Sequence, residues 1–274
     1  MIRMTSLAHL DNRGILAVSG PDATDFLQGL ITNDVRTITN GSAIYAALLT
    51  PQGKILIDFL VALHAGTFLL DCWAGAAESL AKRLALYKLR SKVLIERRDD
   101  LMVLAGWDGA ASPERCFSDP RLPALGWRAV APRGEMPATI SGEVYLAHRL
   151  DCGVPEGEDF GQDKIFALDA GLDELHGVSF GKGCYVGQEL TARMKHRGTA
   201  RRRVLPIAAI DGSAIGGPEI PVSAGTLDIG TIIAAYGSRG FALVRLDRLA
   251  DAGTAGLTAG GTPVRVGKPA WLFA

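Results

Sequence analysis

The stretch Gly181-Lys182-Gly183-Cys184-Tyr185-Val186-Gly187-Gln188-Glu189 constrains this chain more than any other. Three glycines in nine residues suit a backbone that turns sharply or passes close to another group. The residues that follow, Leu190 to His196, read as a helix. Cys184 therefore sits in a tight loop just before a helix N-terminus, two positions from Lys182. A nearby cation and a helix N-terminus both favour thiolate over thiol. One reading is a reactive cysteine; the other is a glycine turn enclosing a small buried thiol, a common fate of free cysteine.

The other cysteines, Cys72, Cys116 and Cys152, form no C-x-x-C pair with each other or with Cys184. Neither a zinc knuckle nor a disulfide framework fits them. The five histidines include no H-E-x-x-H pair, so no metal ligand set is expected. Lysine plus arginine equals aspartate plus glutamate, 29 each, so any anion site must be local. No run approaches the ~18 apolar residues that span a bilayer. The first ten residues resemble neither a signal nor a transit peptide. A reduced, cytoplasmic protein without membrane contact is the expectation. At 274 residues, two or three compact units are expected.

In chain order, Gly14 to Val18 reads as a strand and Pro21 to Leu30 as a helix with Phe26, Leu27 and Leu30 on its apolar face. In Thr32-Asn33-Asp34, the side chains of Asn33 and Asp34 are expected to cap their own turn. Ser42 to Leu49 and Ile55 to Leu63 read as two strands joined at Pro51-Gln52-Gly53-Lys54. Asp58 lies among apolar neighbours in the second, so its carboxylate needs a partner, a ligand or water. Phe68 to Cys72 is a further strand. Ala74 to Arg90 is a helix burying Ala77, Leu80, Ala81, Leu84 and Tyr87. Its other side carries Lys82, Arg83, Lys88, Arg90 and Lys92, read as a solvated basic face ahead of a binding face. Val93 to Arg97, Leu101 to Trp107 and Trp127 to Val130 read as strands, the last inside a loop-rich stretch. Ser141 to Leu150 is a helix capped by Ser141. Glu189 and Arg193 are spaced for a helical ion pair worth ~0.3 kcal/mol. Arg193, Lys195, His196, Arg197, Arg201, Arg202 and Arg203 form the densest basic cluster, read first as an exposed linker, then as a site for a small anion, then for RNA. Without interleaved aromatics, direct RNA binding is not expected. Beyond it, Leu205 to Ile210, Gly230 to Tyr236, Phe241 to Leu246 and Thr262 to Val266 read as short strands of a small antiparallel barrel.

The unbroken run from Lys182 to Glu189, continued by Thr191-Ala192-Arg193-Met194-Lys195-His196-Arg197-Gly198, is similar to the signature of the YgfZ family. These are folate-binding proteins related to the glycine-cleavage T-protein, an aminomethyltransferase. The resemblance implies an α+β fold of two interleaved units around a folate pocket, the first formed by about 1–50 and 141–200 and the second by about 51–140. A C-terminal antiparallel β-barrel over 201–274 follows. It implies a folate-dependent accessory protein for assembly or repair of iron–sulfur enzymes, including radical tRNA-modifying enzymes. Cys184 and Lys182 would be the working pair. Partners would be tetrahydrofolate and iron–sulfur client enzymes or cluster carriers, and the protein would be a monomer. Candidate folate contacts are Asp58, Arg149, Asp151, Tyr185, Gln188 and Glu189. T-protein relatives carry a glutamate where Asp151 stands, and a carboxylate matches the donor pair of a pterin ring. The local alternative is an Asp151–Arg149 ion pair. The other functional reading is a true aminomethyltransferase, but T-proteins have two adjacent aspartates where this chain has Ile57-Asp58.

Overall fold

A computed structural model describes residues 6–109, 116–198 and 201–272. Met1 to Thr5, residues 110–115 in the loop-rich stretch, 199–200 and 273–274 lie outside the described residues. In chain order the strands and helices are β1 (Ser6–His9), β2 (Arg13–Ser19), α1 (Ala23–Gln28), β3 (Ala43–Leu49), β4 (Ile55–His64), β5 (Thr67–Trp73), α2 (Ala77–Lys88), β6 (Leu94–Arg97), β7 (Leu101–Trp107), β8 (Cys116–Ser118), β9 (Trp127–Pro132), α3 (Gly142–Cys152) and α4 (Gln188–Arg197). The C-terminal part continues with β10 (Arg202–Ala209), β11 (Pro221–Ala224), β12 (Leu227–Tyr236), β13 (Arg239–Arg245), α5 (Leu246–Ala252), β14 (Leu257–Ala259) and β15 (Thr262–Val266).

Alternation along the strands decides how these elements layer. In β2, Leu16 and Val18 point to one face and Ile15 and Ala17 to the other, and all four are buried. The five-stranded sheet, ordered β3-β4-β5-β2-β6, is therefore covered on both sides. Leu16, Val18, Phe59, Val61 and Leu70 pack with Phe26 and Leu27 of α1 and Leu80 and Leu84 of α2. Ile15, Ala17 and Leu69 pack with Val103, Ala105 and Trp107 of β7 and Tyr145 of α3. That second layer belongs to the four-stranded sheet β1-β7-β9-β8. Strands on both sides of residue 50 share the five-stranded sheet, since β2 pairs with β5 and β3 with β4.

The C-terminal strands close into a barrel, β10-β13-β12-β11-β14-β15, with β15 returning to β10. Its interior is filled by Leu205, Ile207, Ile229, Ile232 and Val244, among others. The fold is thus the α+β architecture with a closed antiparallel barrel that the sequence led us to expect. Three details differ. Ser141 stands at the N-cap of α3, yet its hydroxyl makes no capping bond. Tyr87 is exposed rather than buried, because α2 turns only Ala77, Leu80 and Leu84 inward. Ile210 also stays outside the barrel wall.

Candidate functional site

The glycine-rich loop is positioned from beneath by the turn after α1. Thr32 donates its hydroxyl to the carbonyl of Gly177 at 2.6 Å, and the Ser179 N–H donates to the Thr32 carbonyl at 3.0 Å. The Asn33 amide donates to the carbonyls of Tyr45 (2.8 Å) and His176 (2.7 Å). Asn33 and Asp34 also cap their own turn, accepting from the Asp34 and Arg36 N–H groups. Lys182 completes the anchorage: its ammonium donates to the carbonyls of Ile31 at 2.7 Å and Asn33 at 2.8 Å. It also lies 5.2 Å from the centre of the Tyr185 ring. Burial pushes the Lys182 pKa down to about 8. Lys182 was expected to act on Cys184; instead its charge holds the loop to the turn after α1.

Cys184 is exposed, the only one of the four cysteines so placed. A Cβ at Gly181 or Gly183 would meet nothing within 4 Å, so the approach to the thiol is open. Gly187 is different. It has φ +82°, and a Cβ there would fall 2.4 Å from the Thr50 carbonyl oxygen, so only glycine fits where the loop enters α4. Tyr185 is buried, which pushes its phenol up to about 12, and its N–H donates to the Gln188 side chain at 3.2 Å. Tyr185 and Gln188 thus brace the loop from within. Glu189 is exposed in the first turn of α4 and forms no ion pair with Arg193.

The proposed pterin contacts do not converge. The Asp151 side chain is 71% exposed and pairs with Arg239 of the barrel at 2.5 Å. Arg149 is buried and donates to Asp159 at 2.5 Å and to the Val154 carbonyl at 2.8 Å, so the Asp151–Arg149 pair does not form either. Asp58 is buried and sealed: Tyr45 donates to one oxygen at 3.0 Å and the Gly157 N–H to the other at 2.9 Å. Burial raises its pKa, against the pull of Arg13. Asp58 borders only a pocket of about 20 Å³, too small for a pterin ring, and the carboxylates of Asp151 and Glu189 are exposed on the surface. A cavity of about 670 Å³ does open between the sheets, at the ends of β4, β5, β8 and β9, but it is lined by His64, Leu69, Arg98, Cys116 and Phe117, among others, and by none of the expected contacts. The residues carried over for tetrahydrofolate therefore do not fit that group.

Between the layers the interior holds an ion network. Arg13 donates to Asp71 at 2.6 Å, and Arg128 reaches the other oxygen of Asp71 at 3.0 Å. Arg128 also donates to the Tyr145 hydroxyl at 2.7 Å and to Glu156 at 3.1 Å. Arg121 bonds both oxygens of Asp119, at 2.9 and 2.7 Å, and reaches Glu156 as well. Tyr236 of β12 donates to Asp159 at 2.5 Å. Burial alone would raise the Glu156 carboxyl, but Arg121, Arg128, Arg13 and Arg149 together hold it well below the usual range. Sequence reading passed over Arg13, Asp71, Arg121, Arg128 and Glu156. The available signal was a lone charge inside an apolar strand, as in Phe68-Leu69-Leu70-Asp71-Cys72-Trp73.

The basic cluster is only partly a free linker. Lys195 pairs with Asp173 at 2.9 Å and Arg203 with Glu174 at 3.1 Å, while Arg193, His196, Arg197, Arg201 and Arg202 are exposed.

Comparison with known proteins agrees with this architecture. Residues 4–113 match the GCVT N-terminal domain, and residues 201–274 match the CAF17 C-terminal beta-barrel domain. The glycine cleavage system aminomethyltransferase T of Bartonella henselae superposes with a TM-score of 0.74 over 97% of this chain and 86% of that one, at 17% identity, a likeness of fold. The iron–sulfur cluster assembly factor IBA57 homologue of Mycosarcoma maydis is 38% identical over 228 residues, 74% of this chain and 57% of that protein. The Neurospora crassa homologue is 34% identical, over 78% of this chain and 56% of that protein. The chain thus spans a little over half the length of these fungal relatives. Human mitochondrial IBA57 is 34% identical over 280 residues, 88% of this chain and 77% of the human protein. With a relative matched at that identity over most of both lengths, the chain belongs to the family of the iron–sulfur cluster assembly factor IBA57.

Proposed function

We propose that this protein serves the assembly or repair of iron–sulfur enzymes, with Cys184 as its working thiol and the cluster as cargo. One observation carries the reading: an exposed cysteine on an unobstructed loop whose flanks are tied down by Lys182, Tyr185 and Gln188. Iron–sulfur clusters are held by cysteine thiolates. No group of three or more histidine, cysteine or acidic residues among the described residues is placed to hold a metal. Cys184 would therefore supply one ligand, and the carrier or client enzyme would supply the rest. The other thiols suit this less. Cys72 is buried, which pushes its pKa up to about 12, and burial also raises that of Cys152.

Radical tRNA-modifying enzymes are the client class in which the effect should be read. In a strain deleted for the gene, Cys184→Ala should fail to restore the modified tRNA nucleoside, while Cys116→Ala restores it. Unchanged melting of purified Cys184→Ala would show that the exposed substitution leaves the fold intact. Restoration by Cys184→Ala at the wild-type level would remove the thiol reading.

No step is routed through tetrahydrofolate, given the residues that fail to meet it. Aminomethyl transfer is disfavoured for a related reason: Ile57, where T-proteins place a second aspartate, is buried among apolar side chains.

A further inference from the structure

We infer that the C-terminal end of α2, the turn after it and the start of β6 form a docking surface for an anionic lipid bilayer. Residues 82–92 read Lys-Arg-Leu-Ala-Leu-Tyr-Lys-Leu-Arg-Ser-Lys: five cations and no acid, in a chain whose total charge is zero. Only Leu84 of its apolar residues is fully buried. Leu89 is 89% exposed, Leu86 is 73% exposed and Leu94, on the edge strand β6, is 50% exposed. Leu89 is moreover held at φ +40°, a left-handed backbone that a branched side chain adopts at a cost, with no burial in return. Two neighbouring acids are bound to this segment, and only one of its five cations is neutralised by them. Glu78 pairs with Lys82 at 2.6 Å, and Asp22 accepts from the Lys92 N–H at 2.6 Å. Arg83, Lys88, Arg90 and Lys92 make no ion pair among the described residues.

Apolar side chains ringed by lysine and arginine are the pattern of segments that lie in a membrane interface. Leu86 and Leu89 border only wide, shallow hollows, beside Lys82 and Arg83 and beside Arg90, so they suit a fluid apolar phase better than a partner's shaped side chain. A second copy of the chain would bring the same cations face to face. The contact proposed is peripheral; among the described residues no helix is long and apolar enough to cross a membrane.

Co-sedimentation of the full chain with vesicles tests this. Binding is expected to phosphatidylcholine vesicles containing phosphatidylglycerol, to weaken as salt rises, and to be absent with phosphatidylcholine alone. Lys88→Gln with Arg90→Gln should weaken binding about 30-fold, from ~1 kcal/mol per cation near an anionic surface. Leu86→Ser with Leu89→Ser should weaken it as well, with melting unchanged because both side chains lie outside the core. No sedimentation of the wild type with anionic vesicles overturns the proposal, as does wild-type binding by the double serine variant. Arg90-dependent binding to polyglutamate without vesicle binding would overturn it in favour of an acidic protein.

Discussion

Lys182 shows what one side chain does for the loop around Cys184. Its ammonium satisfies two carbonyls that the turn after α1 leaves without other partners in the loop. Lys182→Met would leave both half-buried acceptors without that donor, at a cost of about 1 kcal/mol or more. A fall of ~2–4 °C in Tm is the expected readout for a chain of this size. The pH dependence follows from the lowered pKa, about 8 against an ordinary 10.5. Between those values the unfolded chain binds more protons, so this group's contribution to stability rises with pH. Below about 8 both states are protonated and the full cost of burial is present. Solvent reaches part of the side chain, so the slope is shallow. Urea midpoints at pH 8 and 10 should differ by less in Lys182→Met than in wild type; an equal difference would detach the slope from this residue. Sequence spacing placed Lys182 near Cys184, and the chain does so, but it could not say which way the side chain turns. Asp151 illustrates the same limit. The end of α3 was legible, whereas its partner Arg239 comes from the barrel, 88 residues on.

At the scale of elements, α4 and β10 are fastened to one pair of adjacent carboxyls. Lys195 of α4 holds Asp173, and Arg203 of β10 holds Glu174. The remaining oxygens, Asp173 Oδ1 and Glu174 Oε2, are buried without another hydrogen-bond partner. A proton on Glu174 would let these two oxygens meet as donor and acceptor, which raises Glu174 and lowers Asp173. Burial first, then the hydrogen bond and charge of Asp173, push Glu174 up to about 7. Its folded pKa therefore lies above its unfolded value of about 4.5. The folded chain binds the extra proton, so the stabilisation is complete below about 4.5 and is lost as pH rises through 7. Unfolding midpoints should fall from pH 5 to 7.5 in wild type, and Glu174→Gln should flatten that slope; a slope unchanged by the substitution would refute the shared proton. Neither carboxyl stood out in Leu172-Asp173-Glu174, because the pairing depends on where β10 begins. The longer elements were legible for a plain reason. β4 buries an apolar run interrupted only by Asp58, and α2 buries apolar side chains at three-to-four spacing, so both announce themselves. β8, β11 and β14 span only three or four residues, and α5 buries none, so their patterns are too short or too weak to read.

Across the whole molecule, the buried ion network joins layers that also share apolar cores. Arg13 and Asp71 come from the five-stranded sheet, Arg128 from the four-stranded sheet, Arg149 and Tyr145 from α3, and Tyr236 from the barrel. Glu156 lies at its centre, within reach of Arg121, Arg128, Arg149 and Arg13. Nothing short-range in the sequence foretells this, since hydrogen-bonded partners lie up to 77 residues apart. Desolvating these charges costs as much as their attraction returns, so the network contributes register between layers more than net stability. The consequence is asymmetric. Glu156→Gln keeps the size but removes the charge that several guanidiniums face, and it should destabilise by about 3–5 kcal/mol, as breaking buried pairs does. Adding Arg128→Met removes one of the stranded cations, so the double variant should lose less than the sum of the two single variants. Urea midpoints of the four proteins measure both quantities. Additive losses, or a Glu156→Gln cost below about 1 kcal/mol, would mean that the layers are held by their apolar faces alone and that the charges merely fill the space between them.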